Sequence, residues 1–218
     1  MQSHSPSPTG RAPKPRFRGV SHHVAFYVAL LCLPVLVLTA SSGVGRTTSV
    51  IYGLSLAALF GCSALLHRGH WSPRAEQWVR KLDHSTIFVF IAGTYTPVVA
   101  IAAASSAPWM LAAVWSGAAI GVAVALFWID APRWVTTGVY LGVGWLAIMI
   151  LPELWSGLGV ARFMLLIGGA ALFTTGAVVY ARQSPDPSPA IFGFHEVFHA
   201  LVIAGVILHL GMISSLPR

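Results

Sequence analysis

Five side chains that can take part in metal chemistry occur at helical spacing in three separate apolar stretches of this sequence. His195 and His199 are four residues apart in FGFHEVFHAL, and Ser63 and His67 have the same spacing in GCSALLHRGH. Asp83 opens a third apolar stretch, in RKLDHSTIF. A spacing of four places both members of a pair on one face of a helix.

Three histidines and an acid at one depth suit a metal ion that takes neutral imidazole nitrogens. Zinc in catalytic sites commonly has three protein ligands and keeps a fourth position for water. The metal lowers the pKa of that water to about 7, and a neighbouring carboxylate holds or deprotonates it. Spacing alone leaves two interpretations open: a metal site formed by His67, His195 and His199, or unrelated polar residues at helix ends.

Each of these residues has an ordinary structural explanation when it is taken alone. A histidine near a helix end is commonly a headgroup-level residue, and Ser63 can bond to its own helix. Asp83 can cap a helix or pair with Arg80 or Lys81. Ionisable groups at membrane depth are costly, which favours a function for the set as a whole.

The elements that position these residues are predicted to be membrane-spanning helices. The 218-residue chain is 56% hydrophobic and 9% charged, whereas a soluble domain has about 25% charged residues. Its mean hydropathy is +0.75. Hydrophobic runs near 20 residues cross a bilayer as helices. Seven such runs are predicted, at 24–41, 47–67, 84–104, 109–129, 134–151, 160–181 and 193–214.

The sequence therefore predicts an all-α membrane protein with a seven-helix transmembrane domain at 24–214. The first 23 residues are rich in proline and serine and carry four basic residues. We expect a disordered basic cytoplasmic arm at 1–23 that meets anionic headgroups. With the N-terminus inside, ten of the 13 Lys and Arg residues lie on the cytoplasmic side, as the positive-inside rule requires.

This orientation puts the C-terminus outside. It also places the polar ends of spans two, three and seven together on the cytoplasmic side. All five polar residues then lie at the cytoplasmic ends of those spans. The same bias explains most of the formal net charge of +7, so membrane lipids are the expected partners and nucleic acid is not. The sequence does not indicate an oligomeric state.

The segment from His195 to His199 also matches H-E-x-x-H, the motif of zinc protease helices. In soluble zinc proteases the glutamate is the general base, and membrane zinc proteases need a further acidic ligand on a later element. No acidic residue follows Glu196, which argues against a protease. The third ligand is instead expected from upstream, at His67, with Asp83 handling the water and Glu196 at headgroup level or beside a ligand.

The other histidines and the cysteines are expected to have minor roles. His22 and His23 are placed at the mouth of the first span, in the interfacial region. His209 is ten residues after His199, about 15 Å along a helix, and so lies outside the cluster. Cys32 and Cys62 are expected to be small buried apolar residues.

Four stretches together resemble the hemolysin III group of the progestin-and-adipoQ-receptor family. They are KPRFRGVSHH before the first span, SALLH at 63–67, LDHSTIFVFIAGTYTP at 82–97 and HEVFHALVIAG at 195–205. They occur in the order of the family and cover most of the chain from Lys14 to His209. The resemblance implies seven helical spans.

The resemblance also implies a cofactor and a set of ligands. Eukaryotic relatives hold a zinc near the cytoplasmic side with three histidines, which match His67, His195 and His199. The aspartate thought to position the zinc water matches Asp83, and the serine one turn before the first histidine matches Ser63. Zn²⁺ is thus the expected metal, although iron, nickel and cobalt accept the same kinds of ligand.

The resemblance further implies a reaction. Relatives in the wider superfamily hydrolyse the amide bond of ceramides, so we expect a zinc-dependent hydrolase of lipid amides or esters in a bacterial plasma membrane. Asp83 would deprotonate the water and Ser63 would hydrogen-bond the developing oxyanion. The alternative is a membrane sensor, or the pore-forming protein that the family name suggests, with structural zinc. No span carries the continuous polar stripe that a water-filled pore needs.

Overall fold

The structure, a computed structural model, describes residues 15–217 and consists of helices joined by short loops. This confirms the predicted all-α membrane fold. Residues 1–14 of the predicted arm lie outside the described residues. The helices are α1 Val20–Leu38, α2 Gly43–Arg68, α3 Pro73–Ala102, α4 Ala107–Phe127, α5 Arg133–Gly144, α6 Leu151–Arg182 and α7 Phe194–Ser214, with a 3-10 helix at Leu146–Ile150 between α5 and α6.

Short polar side chains fix the starts of α2 and α3. The Ser42 side chain accepts a hydrogen bond from the backbone N–H of Gly45, and Ser72 accepts one from Ala75. Each serine satisfies a donor that the first helical turn leaves free. Pro73 follows Ser72 at the first helical position, where its missing N–H is not needed. Both helices therefore begin within about ten residues of where the hydropathy pattern places them.

Six helical segments are long and apolar enough to cross a membrane, the longest being a 50-residue stretch that contains α5 and α6. Large apolar side chains lie on the outside of the bundle, among them Leu31, Leu38 and Phe127, which is 88% exposed. Such a surface suits lipid rather than water. The chain is a multi-pass membrane protein.

The longest segment is not one straight helix. The indole N–H of Trp145 donates to Thr174 Oγ1 over 3.1 Å, although a continuous helix would separate these residues by about 43 Å. The guanidinium of Arg133 likewise lies 5.9 Å from the ring centroid of Tyr180. The chain therefore turns back between α5 and the later part of α6. Gly159, inside α6, has non-helical backbone angles (φ 69°, ψ 168°), which glycine adopts without strain.

Helix α3 lies at the centre of the bundle and contacts α2, α4, α5, α6 and α7. Consecutive helices pack on each other, and contacts between α1 and α7 close the ring. This closure brings the first described helix against the last one. Residues at the start of α1 and the start of α7 can therefore belong to one site.

The chain before α1 crosses the loop between α6 and α7. The backbone N–H of Arg16 donates to the carbonyl of Ala190, and that of Phe17 donates to the carbonyl of Ile191. Helix α1 then begins at Val20, earlier than the predicted start at residue 24. These backbone bonds attach residues 15–19 to the bundle next to the first turn of α7.

Candidate metal centre

Three histidines from two helices meet at one end of the bundle. His67 lies in the last turn of α2, and His195 and His199 lie on one face of the first turns of α7. The Nε2 atoms of His67 and His195 are 3.0 Å apart. One potential ligand nitrogen from each of the three residues lies within 4.8 Å of the others. The structure thus brings together the three histidines named from the sequence.

The spacing of these nitrogens fits a metal ion. Tetrahedral zinc with bonds of about 2.05 Å places its ligand nitrogens about 3.3 Å apart. The observed separations, from 3.0 Å between His67 and His195 up to the 4.8 Å limit, bracket that value, so small ring rotations suffice. Nδ1 of His199 is also buried and has no hydrogen-bond partner among residues 15–217, as expected for an atom that a ligand or ion satisfies.

Ser63 and Asp83 lie beside the three histidines and line the same cavity. The Ser63 side chain is 3% exposed. The candidate water-handling acid and the candidate oxyanion donor therefore face the same cavity.

His22, in the first turn of α1, is a site residue that the sequence analysis missed. Its Nδ1 lies 2.8 Å from Ser63 Oγ, and its ring stacks on that of His199 with centroids 3.7 Å apart and planes 5° apart. This hydrogen bond joins α1 to α2, and the ring stack joins α1 to α7.

His22 and His23 face opposite environments, a difference that the sequence analysis did not predict. His22 is 3% exposed, whereas His23 is exposed. Successive residues on a helix point about 100° apart, so only one of the pair can face the bundle. The sequence carried a signal, a histidine in the first turn of a span, but nothing in it distinguished His22 from its neighbour.

Glu196 pairs with the segment before α1 and with the start of its own helix. Its side chain is 3% exposed. Its Oε1 lies 2.6 Å from Nε of Arg18, and its Oε2 accepts the backbone N–H of Gly193 over 2.8 Å. The glutamate of the H-E-x-x-H pattern therefore caps α7 and holds the segment before α1.

The backbone of the segment before α1 approaches the histidine cluster closely at Gly19. Gly19 has φ 74°, and a Cβ added there would lie 2.5 Å from Cβ of His67. Any other residue at this position would strain the backbone and collide with a candidate ligand. Gly19 thus lets the start of α1 pack directly on His67.

A cavity of about 170 Å³ extends from the cluster into the bundle. Ser63, Asp83, His195 and His199 form part of its wall at one end. Trp145, which is 39% exposed, also lines it, so this wall residue extends from the cavity to the outer surface of the bundle. Most of the remaining wall is apolar or aromatic and includes Leu59, Ile87, Phe90, Ile91, Phe173, Phe198 and Val202.

Comparison with known proteins identifies the family of this chain. A family model described as Haemolysin-III related matches residues 11–210. The protein named Hemolysin-3 of Bacillus cereus is 30% identical over 191 residues, which cover 85% of this chain and 84% of the relative. The Hemolysin-3 homolog of Bacillus subtilis (strain 168) is 29% identical over 190 residues, covering 85% of this chain and 86% of the relative.

Proposed function

Because this chain belongs to the Haemolysin-III related family, we propose that it is a zinc-dependent membrane hydrolase of lipid amide or ester bonds. The observation that carries the proposal is the meeting of His67, His195 and His199 beside an apolar cavity, with ligand nitrogens within 4.8 Å of one another. A polar centre that opens on an apolar cavity suits a substrate with a polar scissile bond and an apolar tail.

The ligand set favours zinc. Three neutral imidazoles leave a fourth tetrahedral position for water or substrate, which is the pattern of catalytic zinc sites. A zinc ion held by His67, His195 and His199 would supply Lewis acidity and make a water molecule acidic enough to act as a nucleophile near neutral pH.

Asp83 is the proposed general base, and it takes a proton from the attacking water. The Ser63 hydroxyl donates to the oxygen of the scissile carbonyl. The proton on Asp83 passes to the leaving nitrogen or oxygen, which restores the carboxylate. His22, whose Nδ1 lies 2.8 Å from Ser63 Oγ, holds Ser63 in place during these steps.

Membrane lipids are the proposed source of substrate. Trp145 lines the cavity and is 39% exposed on the outside of the bundle, and the proposed entry for a lipid chain lies beside it. The scissile bond would then lie at the histidine cluster and the chain would lie in the apolar part of the cavity.

We further propose seven spans with a cytoplasmic N-terminus and an external C-terminus. The fold-back between Trp145 and Thr174 supports two spans in the longest segment, and the distribution of Lys and Arg supports the orientation. A reporter fused after Arg218 is expected to be active only outside the cytoplasm. Reporter activity on the cytoplasmic side would contradict both the span count and the orientation.

A second candidate is a non-enzymatic role with structural zinc, as a sensor or as a pore-forming protein. The observation that favours it is the similarity of this chain to two relatives named Hemolysin-3 and Hemolysin-3 homolog. In that case zinc would hold α2 against α7 and would not catalyse a reaction. Release of an encapsulated dye from liposomes, rising with protein concentration, would support the pore; an absence of leakage over a wide concentration range would count against it.

The first test is the metal content of detergent-purified protein, measured by mass spectrometry. We expect about one zinc per chain, lost in His67→Ala and His195→Ala and retained in Asp83→Ala. His70→Ala is the matched control, because His70 is an exposed histidine outside the cluster. No metal in the unmodified protein would mean that the cluster is polar packing and would refute the proposal.

The second test is hydrolysis by the zinc-loaded protein of a panel of lipid amides and esters, including ceramides. Activity that is lost on chelation and restored by zinc supports a hydrolase. Full zinc occupancy without cleavage of any member of a broad panel favours the structural role instead.

A further inference from the structure

A second cavity, of about 60 Å³, lies next to the cavity at the histidine cluster. The two cavities have six wall residues in common, which are Thr94, Tyr95, Gly144, Trp145, Ala170 and His209. A residue that lines both cavities has one of them on each side. These six residues, the shared wall, therefore separate the two cavities by a single layer of side chains.

The two cavities follow one another along α3. Asp83 lines the first cavity, Thr94 lines both, and Val98 lines only the second. Eleven residues of helix separate Asp83 from Thr94, about 17 Å along the axis, and four more residues reach Val98, about 6 Å further. The second cavity therefore extends the first one in the direction away from the histidine cluster.

These distances can be expressed as lengths of acyl chain. A fully extended chain advances about 1.2 Å per backbone bond, so the first cavity matches about 14 bonds and both cavities together match about 19 bonds. Outside the shared wall, the described residues that line the second cavity are all apolar. Such a lining suits the methyl end of an acyl chain.

The side chains of the shared wall differ in how firmly they are held. The Tyr95 hydroxyl donates to the carbonyl of Gly144 and accepts the backbone N–H of Ala147, each over 2.7 Å. The indole N–H of Trp145 is bonded to α6. Ala170, on α6, contributes only a methyl group. A larger side chain at this position would occupy space that both cavities border.

We propose that the shared wall sets the length of acyl chain that the protein accepts, and that Ala170 is the residue that determines it. A chain with its carbonyl at the histidine cluster reaches the shared wall after about 14 bonds, and a longer chain passes Ala170 into the second cavity. This inference rests on the proposed function because it places the carbonyl at the cluster. A chain of about 18 carbons is the length class that uses both cavities.

The test measures the binding of straight-chain saturated fatty acids of 10, 12, 14, 16 and 18 carbons to detergent-purified protein, by displacement of a fluorescent fatty acid. Each length is compared between a variant and the unmodified protein, because this ratio of affinities cancels the partition of the acid into detergent. For Ala170→Leu we expect a ratio near one up to 14 carbons. Since a buried methylene contributes up to about fourfold in affinity, we expect a loss of about tenfold or more at 18 carbons.

Two further variants assign this loss to the second cavity. Ala171→Leu is the matched control, because Ala171 is the exposed neighbour of Ala170, and its ratio should stay near one at every length. Ala147→Leu places a larger side chain in the second cavity alone and should lose affinity for the 18-carbon acid only. It decides the question even if Ala170→Leu does not fold.

The outcomes separate this inference from the proposed function. A ratio that does not depend on chain length in Ala170→Leu, or unchanged binding of the 18-carbon acid in Ala147→Leu, would overturn the inference. The expected length dependence without hydrolysis of any lipid would support the inference and count against the enzyme. Hydrolysis with the same chain-length profile in all variants would do the reverse. Failure of every fatty acid to bind would refute the acyl-chain cavity itself.

Discussion

The imidazole ring of His22 lies parallel to that of His199, with centroids 3.7 Å apart and planes 5° apart. One ring comes from the first described helix and the other from the last, so the stack joins α1 to α7 at the histidine cluster. His22 Nδ1 also lies 2.8 Å from Ser63 Oγ. A single side chain of α1 thus contacts a candidate ligand and the candidate oxyanion donor.

Replacing His22 is expected to weaken the centre without removing its ligands. Loss of a residue that orients a metal ligand commonly lowers metal affinity or activity by about 10- to 100-fold, and we expect a change in this range for His22→Ala. The measurements are zinc affinity by chelator competition and the absorption spectrum of the Co²⁺-substituted protein. His23→Ala, an exposed neighbour, should match the unmodified protein in both. A Co²⁺ spectrum and affinity unchanged in His22→Ala would show that the stack is only packing.

Asp83→Asn is expected to retain metal binding and to lose most of the hydrolytic activity. The amide keeps the shape of the side chain but cannot take a proton from water, and general-base contributions are typically 10²- to 10⁴-fold. We expect one zinc per chain and hydrolysis reduced by about that factor, measured on a lipid amide that the unmodified protein cleaves. Loss of zinc in Asp83→Asn would make Asp83 a ligand rather than a base.

Gly19→Ala is expected to destabilise the protein and weaken metal binding together. The left-handed conformation alone costs a non-glycine residue about 1–2 kcal/mol, and the new Cβ would lie 2.5 Å from Cβ of His67. Thermal unfolding in detergent, with and without zinc, measures both effects. Gly43→Ala is the control because a Cβ there has no neighbour within 4 Å. Similar unfolding temperatures for the two variants would contradict the close approach.

Arg18→Ala is expected to release the segment before α1. It should also lower the free energy of unfolding by about 3 kcal/mol, because it leaves the buried Glu196 carboxylate without its charged partner. The side chains of this pair are 21% and 3% exposed. Asp130→Ala breaks the Arg80–Asp130 pair, whose side chains are 43% and 83% exposed, and should change stability by less than about 1 kcal/mol.

The comparison uses unfolding in detergent together with the rate of limited proteolysis near residues 15–19. We expect faster cleavage there in Arg18→Ala only. Equal stability and equal cleavage in the two variants would mean that the backbone bonds of Arg16 and Phe17 hold the segment without the ion pair.

The sequence alone was sufficient for the helices and for the candidate ligands. Hydropathy along the chain is a local property, so the runs near 20 residues located most helix ends to within a few residues. The starts of α3 at Pro73 and of α6 at Leu151 are exceptions, because a helix end depends on caps and backbone contacts. The i,i+4 spacing of His195 and His199 likewise fixed their common face before any tertiary contact was known.

Residues whose role depends on the rotation of a helix about its axis were decided only by the tertiary structure. The residues of α1 are apolar on most faces of the helix. No periodic pattern therefore indicated that His22 faces the site and His23 faces outward. The partner of Glu196 and the cavity that ends at His209 depend on contacts between residues far apart in the chain. The sequence determined which chemical groups are present and on which helix each lies; packing between helices decided which of those groups meet.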